Sequence, residues 1–305
     1  MPNAAEIRSE ITAQIVASLE RGVAPWRRSW KAGGGRHRNA VTGRPYSGVN
    51  PLLLEIHARK LGLTANRWAT LQQWNANGCV VKKRPADVAP GKWGCRVVLS
   101  KPVTKKKIDD EGEEVEDKFF LLTTFTVFSA DQVEGGERFA VEPTPKTPIG
   151  DPGLFEKAEA LIAATRADIR TVGDQPLYRK PLPPGSWPDH TGGDLIEMPP
   201  KESFESLGAY YETAFHELAH WSEVRLKWTD TYAVGELVAE MAACYTAAEL
   251  GLPVGEGLEN HAAYLKSWAK RLGGDSSLIF KASTQAGKVT DFLLAFANAP
   301  VPVPA

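Results

Sequence analysis

The sequence predicts an α+β fold of two domains, a basic N-terminal α+β domain and a mainly helical C-terminal domain. Residues 1–107 contain 20 Lys and Arg against 5 Asp and Glu, whereas residues 108–305 contain 16 against 32. A segment rich in Pro and Gly, residues 131–150, lies close to this change of sign. The 305 residues suffice for two domains of about 150 residues each. We therefore predict domains over 1–130 and 151–305, joined by a linker over 131–150.

The N-terminal half is predicted to start with a helix and to continue with strands. Ile7, Ile11 and Ile15 recur every four residues, and Asn3 with Glu6 forms a capping-box pattern. After a loop over 25–50, the pattern predicts helices over 52–61 and 68–74 and strands over 96–100 and 119–128. The acidic run 109–117 is interpreted as a solvated hairpin tip, or alternatively as a flap that competes with nucleic acid.

The C-terminal half is predicted to be largely helical. The pattern gives helices over 152–170, 207–225 and 234–250, with a Pro-rich loop over 176–188 and a short strand over 194–198. That strand is expected to be an edge strand, to which an extended peptide could add.

Several classes of protein are excluded by the composition. No run of about 18 apolar residues is present, so no membrane span is expected. The residues at the N-terminus lack the basic and apolar regions of a secretory signal. The three cysteines, Cys79, Cys95 and Cys244, are too few and too irregular for a disulfide framework and fit a reducing cytoplasm. We therefore expect a cytoplasmic protein with no membrane partner.

The residues His216-Glu217-Leu218-Ala219-His220 carry the strongest chemical signal in the sequence. Side chains four residues apart share one face of a helix, so His216 and His220 can both point a ring nitrogen at one cation. Catalytic zinc in such a site keeps three protein ligands and one open position for water. Glu217 lies where it can take a proton from that water. We predict one Zn²⁺ per chain, with other divalent metals as candidates, and Glu217 as the general base.

The third ligand is expected from the helix predicted over 234–250. This helix offers Glu236 and Glu240, one turn apart on the same face. Two solvated helix acids are the simpler alternative, but the surrounding residues are mostly apolar, and carboxylates there require a cationic partner. Either residue can complete the site, and the other would then hydrogen-bond a ligating histidine. The spacing leaves both assignments open.

Basic and aromatic residues are interleaved in the first third of the chain. Lys and Arg neutralise phosphates, and exposed aromatic rings stack on unpaired bases at about 1–3 kcal/mol each. We therefore predict that residues 1–130 bind single-stranded DNA, with double-stranded DNA as a further candidate. Trp68, Trp74 and Trp93 are expected in the core, whereas Trp26 and Trp30 are expected to stack on bases. The candidate DNA-binding residues are Trp26, Arg27, Arg28, Trp30, Lys31, Arg36, Arg38, Arg44, Tyr46, Lys82, Lys83 and Arg84.

Six segments resemble ArdC-type antirestriction proteins, in the order that this family shows. The segments RNAVTGRPYSGVN (38–50), WATLQQ (68–73) and TVFSADQ (126–132) resemble the N-terminal single-stranded-DNA-binding domain of the family. The segments GDLIEMPP (193–200), YYETAFHELAHW (210–221) and ELVAE (236–240) resemble its zincin-like metallopeptidase domain. The last segment is similar to the ExxA(D/E) helix of gluzincin-type peptidases, which implies Glu236 as ligand and Glu240 as its support. The sequence departs from the family after His220 and around residues 83–85.

The resemblance implies a plasmid-encoded protein that protects incoming DNA from restriction during conjugation. It implies a zinc-dependent peptidase that acts on a protein substrate. Independently of the resemblance, Tyr232 or a neighbouring tyrosine is a candidate oxyanion stabiliser. A second hypothesis is a DNA-coating protein whose metal site is structural or inactive. A third is that the acidic remainder mimics DNA, although its acids are spread over helices rather than spaced like phosphates.

Overall fold

The structure is a computed structural model that describes residues 3–27, 35–108, 114–139, 152–181, 193–252 and 262–297. Strands are concentrated in the N-terminal half and helices predominate in the C-terminal half, which confirms the predicted α+β class. Among the helices of these segments, none has the length and hydrophobicity that a membrane crossing requires.

The N-terminal half contains a long hairpin and three helices among its described residues. Its elements are α1 (Ala4–Glu20), β1 (Arg38–Asn39), α2 (Asn50–Leu61), β2 (Arg67–Thr70), α3 (Leu71–Ala76), β3 (Val80–Val81), β4 (Cys95–Ile108), β5 (Glu114–Ser129) and β6 (Val133–Glu134). Helix α1 begins at the predicted capping box of Asn3 and Glu6. Its face of Ile7, Ile11 and Ile15 is buried, so the predicted helix and its periodicity are confirmed.

The main sheet has the strand order β1-β2-β5-β4. Strands β1 and β2 are parallel and the other pairs antiparallel. The β4–β5 pairing runs from Cys95 with Val127 to Ile108 with Glu114, so both strands are longer than their apolar runs predicted. Residues 109–113 of the predicted hairpin tip lie outside the described residues. Helices α1 and α2 pack against each other and against the long hairpin, which places a core between them.

The segment predicted as a helix over 68–74 is a strand followed by a short helix. Trp68 and Ala69 are both fully buried, so both faces of β2 are covered and the extended backbone is favoured there. Thr70 then caps α3, because its side chain accepts a hydrogen bond from the Gln73 N–H. Tertiary packing thus overrides the helical pattern in the first half of the segment.

The first part of the predicted linker over 131–150 is folded. Gln132 and Val133 are buried, and β6 pairs with β3 in a small two-stranded sheet. Residues 131–139 therefore pack as part of the N-terminal half, and 140–150 lie outside the described residues.

Helices build most of the described C-terminal half. Its elements are α4 (Glu156–Thr165), β7 (Ile169–Thr171), β8 (Leu177–Arg179), β9 (Leu195–Met198), α5 (Leu207–Arg225), α6 (Tyr232–Leu250), α7 (Ala262–Gly274) and α8 (Leu278–Ala297). Helices α4, α5, α6 and α8 pack together. Helix α5 has its predicted bounds and α6 starts two residues early, but the helix predicted over 152–170 ends at Arg166. That residue adopts a left-handed conformation with φ of 54°, and the chain then enters β7.

Strand β9 lies in the centre of a three-stranded sheet of order β7-β9-β8. Ile196 of β9 pairs with Ile169 on one side and with Tyr178 on the other. The prediction that 194–198 forms an edge strand is therefore wrong. The outer strand that packs against α5 is β8, which lies within the segment predicted as a Pro-rich loop.

The two halves share one continuous hydrophobic core. Helix α1 packs against α7, and the Thr12 hydroxyl donates a hydrogen bond to the Ser276 carbonyl (3.1 Å). Gly35 lies beside α6, where its N–H donates to the Ala248 carbonyl (2.8 Å). The basic and acidic parts of the chain therefore meet directly.

Candidate metal centre

Helix α5 directs two histidine rings towards α6. Its buried face includes Phe215, Leu218 and Trp221, which fixes the rotation of the helix against the core. The rings of His216 and His220 lie on the remaining face, with their Nε2 atoms 3.2 Å apart. The spacing of four residues thus places both rings on one side, as predicted.

Glu236 lies in the second turn of α6 and faces both rings. One carboxylate oxygen lies 3.2 Å from His220 Nε2, and the other lies 3.6 Å from His216 Nε2. The three side chains form a group whose potential ligand atoms all lie within 4.8 Å of one another. The predicted set of His216, His220 and Glu236 is therefore brought together.

The distances between these three donors fit a tetrahedral metal site. Zinc binds histidine nitrogen and carboxylate oxygen at about 2.0–2.2 Å, which places neighbouring ligands of a tetrahedron roughly 3.3–3.5 Å apart. The observed separations of 3.2, 3.2 and 3.6 Å are close to this value. The donors border a cleft of about 400 Å³, so water could reach a cation that they would hold. The arrangement suits a divalent cation with three protein ligands.

The charges of the three donors are strongly coupled. Burial alone would raise the pKa of Glu236, but hydrogen bonds from His216 and His220 hold that pKa well below its usual value. Burial likewise opposes the charged form of His220, yet hydrogen bonds to Glu223 and Glu236 raise its pKa to about 9. Glu236 is thus held as a carboxylate, the form that binds a cation.

Glu217 lines the same cleft, and its residue surface is only 6% exposed. Burial raises the pKa of this carboxyl, and the nearby Glu236 charge acts in the same direction. The two imidazoles and a hydrogen bond from the Tyr178 backbone oppose the increase without cancelling it. A carboxylate with a raised pKa is a stronger proton acceptor, as a general base requires.

Glu223 orients the ring of His220. Its carboxylate lies 2.9 Å from His220 Nδ1 and 3.1 Å from the Lys180 ammonium. Because an ionised carboxylate only accepts hydrogen bonds, Nδ1 carries a proton and Nε2 is the nitrogen available to a metal. Glu223 was not among the predicted site residues, although its position three residues after His220 on a helix indicates such a contact.

Glu240 does not support the histidines, so the prediction for this residue is wrong. Its carboxylate accepts a hydrogen bond from Arg27 (2.7 Å), and it groups with Glu212 and Cys244 rather than with Glu236. Arg27 is also paired with Glu212 at 2.7 Å. One guanidinium therefore compensates both carboxylates of this second group.

Four of the predicted DNA-binding residues are engaged inside the protein. Trp26 is 2% exposed, so it is a core residue and not a stacking platform. Arg36 is buried and pairs with Glu249, and Arg38 pairs with the other oxygen of the same carboxylate. With Arg27, these arginines bind the acidic half of the chain, which corrects their prediction as phosphate ligands.

The other predicted DNA-binding residues have different surroundings. Arg44 is exposed, whereas Tyr46 is half-buried and its hydroxyl donates to the Trp68 carbonyl (3.4 Å). An exposed basic segment is formed by Lys82, Lys83 and Arg84. The predicted residues that fall outside the described part of the chain are Arg28, Trp30 and Lys31. As predicted for the core, Trp68 and Trp74 are fully buried, while Trp93 is half-buried.

Tyr232 stands at the mouth of the cleft. It is 83% exposed and is the first residue of α6, one turn before Glu236. The Glu236 charge is the main cause that raises the pKa of Tyr232, with burial and a hydrogen bond between the two side chains adding to it. The phenol is therefore protonated at neutral pH and is available as a hydrogen-bond donor beside the metal ligands.

Comparisons with known proteins cover both halves. Residues 5–128 match the N-terminal domain of anti-restriction factor ArdC, and residues 156–285 match a zincin-like metallopeptidase domain. The metal-free crystal structure of the antirestriction ArdC protein from plasmid R388 is 34% identical, with a TM-score of 0.70. The match covers 96% of this chain and 98% of that one. The chain belongs to the ArdC antirestriction family.

Two further relatives bear on the site and on the length of the chain. The Mn(II)-bound structure of the R388 ArdC protein is 32% identical with a TM-score of 0.68, covering 95% of this chain and 97% of that one. This neighbour and the donor group of α5 and α6 together indicate a divalent-metal site. A DNA primase TraC of Escherichia coli is 29% identical over 305 aligned positions, and the match covers 94% of this chain and 20% of that protein. The ArdC-like chain thus spans about a fifth of that curated relative.

Proposed function

We propose that this ArdC family member binds single-stranded DNA through its N-terminal half and carries a zinc-dependent peptidase site. Its function would be to protect incoming plasmid DNA from restriction during conjugation. The observation that carries the proposal is the convergence of His216, His220 and Glu236 in one cleft with the buried carboxyl of Glu217. We propose one Zn²⁺ per chain on these three residues.

The residues around the cleft support hydrolysis of a peptide bond. A divalent cation bound there supplies Lewis-acid activation of water and carbonyl oxygen. Glu217 accepts the proton of the attacking water on a carboxylate oxygen and passes it to the leaving amine. The Tyr178 backbone holds that carboxyl in place, and the Tyr232 hydroxyl is the candidate donor to the developing oxyanion. The outer strand β8 lines the cleft and offers a backbone edge to an extended protein substrate.

The charge of the N-terminal half supports binding of a polyanion. We propose residues 1–130 as the DNA-binding domain and 151–305 as the peptidase domain, with the linker between them. Single strands are favoured because no element of the sequence suggests base reading in a duplex groove. Cys79, Cys95 and Cys244 are free and buried, which supports a cytoplasmic location.

The Glu217→Gln variant tests the peptidase proposal. We expect it to keep one zinc per chain by metal analysis, to bind an oligonucleotide like the wild type, and to lose protection of a plasmid transferred into a restricting host. His216→Ala should lose the metal as well, whereas the exposed control Glu202→Gln should keep both properties. Full protection by Glu217→Gln would show that coating of DNA, and not hydrolysis, is the mechanism.

A further inference from the structure

A second cleft, of about 360 Å³, lies in the N-terminal half between α1, α2 and the start of β4. None of its lining residues belongs to the metal centre. Its floor is apolar and is contributed by all three elements, through Ile7, Ile11, Leu53, Ile56 and Val98. The cleft therefore offers an apolar surface between two helices and a strand.

Cations dominate the rim of this cleft. Arg21, Lys60, Lys92 and Arg96 are all exposed and line it. The one carboxylate among the lining residues is Glu10, which faces Arg96 at 3.5 Å, and both of these side chains are about half exposed. An exposed pair of this kind is weak and yields readily to a competing anion.

His57 connects the floor to the rim. Its Nε2 donates a hydrogen bond to the Trp93 carbonyl (3.2 Å). Burial, together with the charges of Lys60 and Lys92, holds the pKa of His57 below its usual value. The ring is therefore neutral at physiological pH, with two ammonium groups close to it. This combination offers an aromatic face next to positive charge.

Three arginines that could otherwise bind phosphate are engaged in ion pairs within the protein. Arg27, Arg36 and Arg38 are paired with carboxylates of α5 and α6. The exposed cations of the cleft rim are adjacent to the basic segment 82–84, because the Trp93 indole donates to the Lys82 carbonyl (3.0 Å). Further exposed cations therefore lie near the part of the rim that Lys92 forms.

We propose that this cleft is the site at which a single strand of DNA binds, with one unpaired base on the apolar floor and its neighbouring phosphates on the rim. The proposal rests on the proposed function only in that the N-terminal half binds DNA. An unpaired nucleotide joins a flat apolar ring to an anionic chain, which matches the floor and the rim. A duplex keeps its bases stacked inside and cannot fill the floor.

The first test removes two rim charges. The rim variant is Lys60→Ala/Lys92→Ala. The matched control, Arg8→Ala/Lys101→Ala, removes the same charge from exposed residues of the same half that do not line the cleft. Binding of a labelled oligothymidylate is measured by fluorescence anisotropy at several salt concentrations. We expect about tenfold weaker binding for the rim variant and a salt slope lower by roughly 1.4, since each phosphate contact contributes about 0.7. The control should stay within about twofold of the wild type.

The second test fills the floor without changing charge. Ala17, which is half-buried and lines the cleft, is replaced in Ala17→Phe. We expect a several-fold loss of affinity with an unchanged salt slope, and a loss of similar size when the wild type binds an oligonucleotide with abasic sites. Circular dichroism and urea unfolding check that each variant folds.

The possible results distinguish an error in the proposed binding site from an error in the proposed DNA-binding function. If the wild type binds the oligonucleotide and the rim and floor variants bind it equally well, the cleft is not the binding site. The proposal that the protein binds DNA would still stand. Tighter binding of a duplex than of the single strand would overturn base insertion. A wild-type protein that binds no oligonucleotide would overturn the DNA-binding function itself, and the cleft with it.

Discussion

Arg27 Nη2 lies 2.7 Å from a carboxylate oxygen of Glu240, and this pair joins the basic half of the chain to the helix that carries Glu236. The same guanidinium contacts Glu212, one turn before His216 on the neighbouring helix. Arg27 therefore links α5 and α6, and each of its contacts lies one helical turn from a residue of the candidate metal centre.

Replacement of Arg27 by methionine should strongly destabilise the protein. The arginine side chain is 12% exposed, and its loss removes the guanidinium that pairs with both Glu212 and Glu240. Breaking a buried ion pair on one side costs about 3–5 kcal/mol, and we expect a loss in this range from urea unfolding of the full chain. Arg27→Met/Glu212→Gln/Glu240→Gln should recover most of it. A single variant as stable as the wild type would contradict this role.

Glu223→Gln should weaken metal binding. The carboxylate fixes the proton on His220 Nδ1, and partners of this kind are worth 10–100-fold in metal affinity, so we expect about a tenfold rise in Kd for Zn²⁺ or Mn²⁺. Calorimetric titration measures the change, with Glu202→Gln as the exposed control. Equal affinities for the wild type and Glu223→Gln would mean that the ring needs no such support.

Asp194→Asn should lower stability at neutral pH but not in acid. Burial opposes ionisation of Asp194, yet hydrogen bonds from Arg225 and Tyr178 keep its pKa below the usual value. Because the folded-state pKa is depressed, the contribution is complete above the unfolded-state pKa of about 3.9 and is lost as the pH falls through the folded-state pKa.

For this partly exposed pair we expect about 1 kcal/mol, or roughly 2–4 °C in Tm, at pH 7. Thermal unfolding of the wild type and Asp194→Asn between neutral and acid pH checks the sign. A difference that persists unchanged well below pH 3 would point to packing rather than charge.

Arg36→Met should reduce stability without removing a phosphate contact. The buried guanidinium pairs with Glu249 at 2.9 Å and Asp291 at 2.6 Å. We expect a loss of about 3 kcal/mol in unfolding free energy and a salt slope of oligonucleotide binding that stays within about 0.3 of the wild type. If the salt slope of binding falls as far as in the Lys60→Ala/Lys92→Ala variant, Arg36 does contact a phosphate of the DNA.

The sequence predicted the metal ligands better than their supports, because helix spacing is a local property. His216 and His220 lie on the same face of their helix because four residues make about one turn. The resemblance to gluzincin-type helices favoured Glu236 over Glu240. No local pattern could show that Glu240 faces Arg27, since 213 positions separate the two residues. The partner of Glu240 became clear only when α5 and α6 were packed against the N-terminal half.

The DNA-binding prediction failed at Trp26, Arg27, Arg36 and Arg38 for a related reason. Net charge shows that cations are abundant but not which of them face solvent. Carboxylates on α5, α6 and α8 lie beside these arginines, so the arginines pair with them within the protein. The cleft between α1, α2 and β4 had no signature in the sequence, because its cations come from three separate segments.

The contact between Thr12 and Ser276 spans 264 positions of the chain. During synthesis the side of the first helix that packs against α7 therefore stays uncovered until residue 276 has left the ribosome. Pairing over such a distance slows folding and lengthens the period in which nascent chains can aggregate. The yield of folded protein should therefore depend on translation rate and temperature more steeply than for a protein whose halves fold one after the other.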